Sequence, residues 1–138
     1  MKIVRKLEAP ASFIFDTLVN SSIHDIQQQT KKKLTKKQLK GFEYNKVFSK
    51  NRAATITIVD VVDNELYSFK TATVVNEFTT SYQLRPLTDT SCEVICEEKQ
   101  VSHGFFQKLN DMLVGTVLGW LKKRQIRFML DAMAKEYK

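Results

Sequence analysis

The 138 residues suit one folding domain, and a composition of 43% hydrophobic and 27% charged side chains excludes the low-hydrophobicity, high-charge character of a disordered segment. The formal charge is +7, yet residues 31 to 40, KKKLTKKQLK, hold six lysines and no acid, so the rest of the chain is nearly balanced. Two cysteines, Cys92 and Cys96, fall on one predicted strand, where about 13 Å between Cα atoms excludes a disulfide. The histidines, His24 and His103, show no ligand spacing with them, so neither a metal site nor a cofactor is expected.

The opening Met1 to Glu8 interrupts its apolar residues with charge, leaving no core for a secretory leader, and a cytoplasmic location is expected. Ile3 to Leu7 reads as a strand. Pro10 suits the first position of a helix, where its missing N–H has no partner to lose, and Ile14 and Leu18 sit one turn apart after it. A second short helix is predicted from Ser22, with its hydroxyl as the cap, Asp25 as the capping-box-like partner, and Ile23 and Ile26 as the apolar edge.

From Gly41 the apolar period changes to two. Phe42, Tyr44 and Phe48 share one parity in the first run, and Ala54, Ile56, Ile58 and Val62 share one in the second. Asp63-Asn64 between Val62 and Leu66 predicts a tight hairpin, since Asp and Asn accept a positive φ. Tyr67 and Phe69 share a face of the next run, and Phe78, Thr80, Tyr82 and Leu84 face the core in the one after it. Pro86 to Thr90 is read as a turn, followed by a strand with Cys92, Val94 and Cys96 inward. Glu93 and Glu97 then belong to a solvated face rather than to an acid–base pair.

Ser102 is the expected N-cap of a final helix from about His103 to Glu136. On a helical wheel Phe105, Phe106, Met112, Leu113, Thr116, Val117 and Trp120 share one broad face, while Val114, Leu118 and Leu121 lie nearly opposite. A sheet on one side does not account for both faces, so the short helices, a homodimer partner or a membrane surface are candidates for the other. The uncharged stretch Met112 to Leu121 is ten residues, about half of what crosses a bilayer as a helix. Gly115 and Gly119, four apart, point to close packing of another backbone or to room for a ligand.

The fold class expected is α+β: a curved antiparallel sheet of about six strands, two short helices after the first strand, and a long C-terminal helix across the sheet, as one domain over residues 1 to 138. This order resembles the START-like superfamily, also called the helix-grip or polyketide-cyclase/lipid-transport fold, and more narrowly an uncharacterised bacterial branch of it. The likeness rests on Ile3 to Leu7, on A-P-A-S-F-I-F-D-T-L from Ala9 to Leu18, on Tyr82-Gln83-Leu84-Arg85-Pro86-Leu87 and on the terminal helix. It implies a cavity between the sheet and the long helix, without naming an occupant.

Noncatalytic binding of a small hydrophobic molecule is therefore the leading expectation. Phe42, Tyr44, Phe69, Phe78 and Tyr82 are the cavity candidates from the sheet, and Leu113, Thr116 and Trp120 those from the helix. The plain alternative is that these side chains fill the space. A rival is an interaction module docking an anionic protein, membrane surface or nucleic acid through Lys31, Lys32, Lys33, Lys36, Lys37 and Lys40. That block lacks the interleaved aromatics that stack on bases, so no specific nucleic acid is implied, and a solvated surface is the plainer account. The cluster Lys122-Lys123-Arg124 with Arg127, after Trp120 and Leu121, is compatible with membrane-surface contact or with the exposed end of a core helix. A cyclase-like or hydrolase-like enzyme is the third reading, with no catalytic residue selected.

Overall fold

The computed structural model describes residues 1–49, 52–74, 76–102 and 119–137. Strand β1 (Lys2–Leu7) leads into helix α1 (Ala11–Thr30), followed by β2 (Glu43–Ser49), β3 (Arg52–Val62), β4 (Leu66–Ala72), β5 (Asn76–Thr88) and β6 (Ser91–Ser102), then helix α2 (Gly119–Lys135). The strands form one antiparallel sheet in the order β1-β6-β5-β4-β3-β2. Strands β2 to β6 are a meander, and β1 closes onto its far edge.

The period-two pattern holds most clearly in β5 and β6. Thr80, Tyr82 and Leu84 are buried, as are Cys92, Val94 and Cys96, and the register sets Tyr82 and Ile3 on either side of Cys96. These side chains share the inner face. In β3 Ala54, Ile56 and Ile58 face inward, but the register shifts between Ile58 and Asp60. The extra residue reverses the parity, so Val62 is 38% exposed and Val61 packs against the core instead. The predicted hairpin is present, with Asn64 at φ 61°. Pro86 and Thr88 remain in β5 around a second register shift, which leaves only Asp89 and Thr90 to make the next turn.

One helix stands where two short ones were expected. The buried stripe Ile14, Phe15, Leu18, Val19 and Ile26 keeps helical spacing through Ser22, so α1 runs unbroken for 20 residues. Ser22 caps nothing. The helix ends at Lys31, whose left-handed φ of 65° lets its N–H reach the Gln27 carbonyl at 2.9 Å. The lysine block then folds back around a 3-10 turn at Lys36–Gln38 and is anchored by the fully buried Leu39.

Helix α2 lies against β1 and α1 through Ile126, Met129, Leu130, Met133 and Ala134, with Leu130 fully buried. Burial of one such side chain contributes about 1.5–3 kcal/mol. Arg5 fixes the crossing: its Nε and Nη2 donate to the two carboxylate oxygens of Asp131 at 3.0 and 2.6 Å. Beyond the helix, the Tyr137 ring meets Phe13 of α1 at 5.2 Å. Ser102, the expected cap, is the last residue of β6. The expected helical stretch of residues 103–118, with Leu113, Gly115 and Thr116, lies outside the described residues.

Candidate functional site

A hollow of about 350 Å³ opens between α1 and the inner face of β2, β3 and β4. Its wall is made where neighbouring strands bring Tyr44, Ile56, Tyr67 and Phe69 together, and α1 closes it with Ser22 and Asp25. Those two residues are three apart on a helix, so they share a face, and that face is the one turned to the sheet.

Five of the polar side chains that line the hollow are tied together in two groups. The Tyr44 hydroxyl donates to Asp25 Oδ2 at 2.6 Å, and the Lys46 ammonium lies 3.1 Å from Oδ1. The Ser22 and Tyr67 hydroxyls share a second hydrogen bond. Both tyrosines are nearly inaccessible, at 7% for Tyr44 and 2% for Tyr67, while the Asp25 and Lys46 side chains keep 25% and 30% exposure. Burial pushes the Tyr44 phenol far above its ordinary value, and its bond to the Asp25 carboxylate adds to the rise. Burial likewise raises Tyr67 to about 12, against an opposing effect of the Ser22 hydrogen bond. At neutral pH these phenols are fixed hydrogen-bonding groups, and among the described residues the Asp25 carboxylate is paired with the Lys46 ammonium.

Of the residues picked out as cavity candidates, Tyr44 and Phe69 line this hollow. Phe42 stacks beside Tyr44 at 6.2 Å, half-buried and outside the lining. Tyr82 is buried further along the inner face against Cys96, and burial raises its phenol as well. Phe78 lies beneath the Lys122 ammonium, 4.8 Å from the ring centroid. Trp120 does not face the hollow: it is 60% exposed at the start of α2, with the Arg124 guanidinium 5.9 Å from its ring. Leu113 and Thr116 lie outside the described residues.

Sequence reasoning missed Ser22, Asp25 and Lys46 as site residues, and the signal for two of them was available. Ser22 and Asp25 are polar interruptions in an apolar stripe that resumes at Ile26, and a stripe so broken faces either a polar partner or a solvent-filled space. Glu98 was missed too. It points inward from β6, where it receives Lys122 of α2 and the Thr80 hydroxyl at 3.3 Å. The lysine block is partly neutralised: Lys36 pairs with Asp63 at 3.1 Å and sits 5.6 Å over the Phe15 ring, and Lys40 pairs with Asp60 at 3.4 Å. Lys31, Lys32, Lys33 and Lys37 are exposed.

The fold is that of the START-like, helix-grip class. A conserved protein from Geobacillus kaustophilus superposes with a TM-score of 0.61 at 12% identity, covering 99% of this chain and 96% of that one. Norcoclaurine synthase from Thalictrum flavum, solved with dopamine and hydroxybenzaldehyde, gives 0.58 at 11% identity over 98% of this chain and 83% of that one. DynU16, from the dynemicin biosynthetic locus, gives 0.57 at 12% identity over 88% of this chain, which spans only 42% of its length. A search of curated proteins returns no match. By sequence the chain belongs to the family described as a domain of unknown function, DUF3284, whose pattern matches residues 1–119.

Proposed function

We propose that the hollow between α1 and strands β2 to β4 binds a small, uncharged, mostly apolar molecule bearing a hydroxyl or carbonyl group, and holds it without reacting on it. The observation that carries this reading is an aromatic and aliphatic wall around a carboxylate already matched by Lys46 and Tyr44. A charged ligand would leave that balance unmatched, whereas a neutral one adds only hydrogen bonds. The phenols hold their protons far past neutrality, which favours positioning over proton transfer. Small hydroxylated aromatics do sit in a protein of this fold, as the norcoclaurine synthase complex illustrates.

The size of the space limits the affinity. A single aromatic ring system burying about 200 Å² gains about 5 kcal/mol at ~25 cal/mol per Å², which places Kd on the order of 0.1 mM before hydrogen bonds are added. 2-Naphthol, titrated by its own fluorescence at sub-millimolar concentration, should saturate one site. Thr71→Trp, which fills the hollow from β4, should weaken that binding at least tenfold in a chain with unchanged circular dichroism. Equal affinity in the folded variant would place the ligand elsewhere and end this reading.

A further inference from the structure

The exposed side of α2 carries a pattern that neither the core nor the hollow explains. Trp120, Arg124 and Phe128 follow one another at four-residue spacing and so form a line along the helix, with Leu121 beside it. Trp120 is 60%, Leu121 41% and Phe128 77% exposed. Three large apolar side chains standing in solvent on one helix face form a patch rather than a scatter. The buried face needs none of them, because Ile126, Met129, Leu130 and Met133 hold the helix to β1 and α1 from the other side.

Charge sorts the possible occupants. Arg124 and Arg127 are exposed and make no ion pair among the described residues, and Lys123 flanks them. The carboxylate that α2 itself supplies, Asp131, is held in a two-point pair by Arg5, which keeps its pKa below the usual carboxylate range. The face is therefore cationic as well as aromatic. A second copy of the chain would set these arginines against their own equivalents in a protein already at +7, which opposes self-association through this face. What matches indole, phenyl and leucyl groups in line with guanidinium groups along one helix face is a flat surface with an apolar interior and negative headgroups.

We propose that the outer face of α2 docks the protein onto anionic lipid bilayers, with Trp120, Leu121 and Phe128 entering the headgroup boundary and Arg124 and Arg127 meeting lipid phosphates or carboxylates. The contact is peripheral. No helix among the described residues is long and apolar enough to cross a membrane.

Trp120 is the single tryptophan of the chain, so its emission reports on this face alone. Vesicles of phosphatidylcholine with phosphatidylserine should shift that emission to the blue and carry the protein into the pellet, and pure phosphatidylcholine should do so far less. Each arginine replaced by glutamine should weaken partitioning about fivefold at low salt, so that R124Q/R127Q loses about twenty-five-fold. Phe128→Ser, at a position too exposed to matter for folding, should lose binding while keeping the wild-type melting temperature. An absent shift with anionic vesicles, or equal binding by the double variant, overturns the proposal. So does a blue shift that grows with protein concentration alone, which would assign the face to a second copy, or one produced equally by polyglutamate, which would assign it to an acidic protein.

Discussion

Replacing Asp25 by alanine tests whether the polar floor of the hollow holds α1 to the sheet. The side chain has two partners of unequal weight. The Tyr44 bond is short, charge-assisted and largely shielded, a type that contributes about 1.5–3 kcal/mol, whereas the Lys46 pair is roughly a third exposed and contributes at most about 1 kcal/mol. Water in the hollow can reach the Tyr44 hydroxyl once the carboxylate is gone, which keeps the cost near the lower end. We expect Asp25→Ala to cost about 2 kcal/mol, and Asp25→Asn about 1 because its amide oxygen still accepts. In urea denaturation of Asp25→Ala, Tyr44→Phe and the double variant, the cycle should give a coupling of about 1.5 kcal/mol. Additive losses, or a loss under about 0.5 kcal/mol for Asp25→Ala, would refute the claim that this bond pins the helix.

Leu130→Ala should destabilise the chain by about 2–5 kcal/mol, read from the same unfolding curves, because it opens a cavity where α2 meets the sheet. Burial raises the thiols of Cys92 and Cys96, the latter to about 11, so iodoacetamide should label neither at pH 8 until denaturant is added; rapid native labelling would contradict their place in the core. Tyr44, Tyr67 and Tyr82 all ionise less readily folded than unfolded, so their contribution is complete below about pH 10 and shrinks as pH rises from there toward the folded values, with Tyr67 levelling off near 12. Stability should therefore fall steeply above pH 10, by up to about 1.4 kcal/mol per pH unit for each phenol, and Tyr67→Phe should flatten the slope. Asp131 is shifted the other way by Arg5: its contribution is present above the unfolded value near 3.8 and lost as pH falls below it. The stability difference between wild type and Asp131→Asn should accordingly vanish in acid, and a difference that persisted there would exclude the ion pair as its source.

The sheet was legible because its signal is local. A strand with one buried face must alternate, and Phe78 to Leu84 or Cys92 to Cys96 could hardly be read otherwise. Register shifts were not legible, since one extra residue in β3 sends Val62 outward without any mark in composition. Ser22 and Asp25 were misread for a different reason. The residue types that cap a helix are also those that place hydroxyl and carboxylate groups on a helix face, and only the partners, Tyr67 and Tyr44, decide between the two uses. Those partners are 45 and 19 residues away, so the broken stripe marks the face without saying what meets it. Trp120 was assigned inward from an apolar wheel that leaves both sides of the helix open to the core, and its exposure follows from Leu130 and its neighbours taking the buried side.

The four tyrosines offer the most direct test of the binding claim, because Tyr44 and Tyr67 belong to the hollow while Tyr82 and Tyr137 lie away from it. Protein labelled with fluorotyrosine and titrated with small neutral aryl alcohols should show fluorine resonances of Tyr44 and Tyr67 moving together to saturation, with Tyr137 unmoved. Saturable binding that shifts Tyr137 alone, or no shift of Tyr44 and Tyr67 at millimolar ligand, would contradict the account.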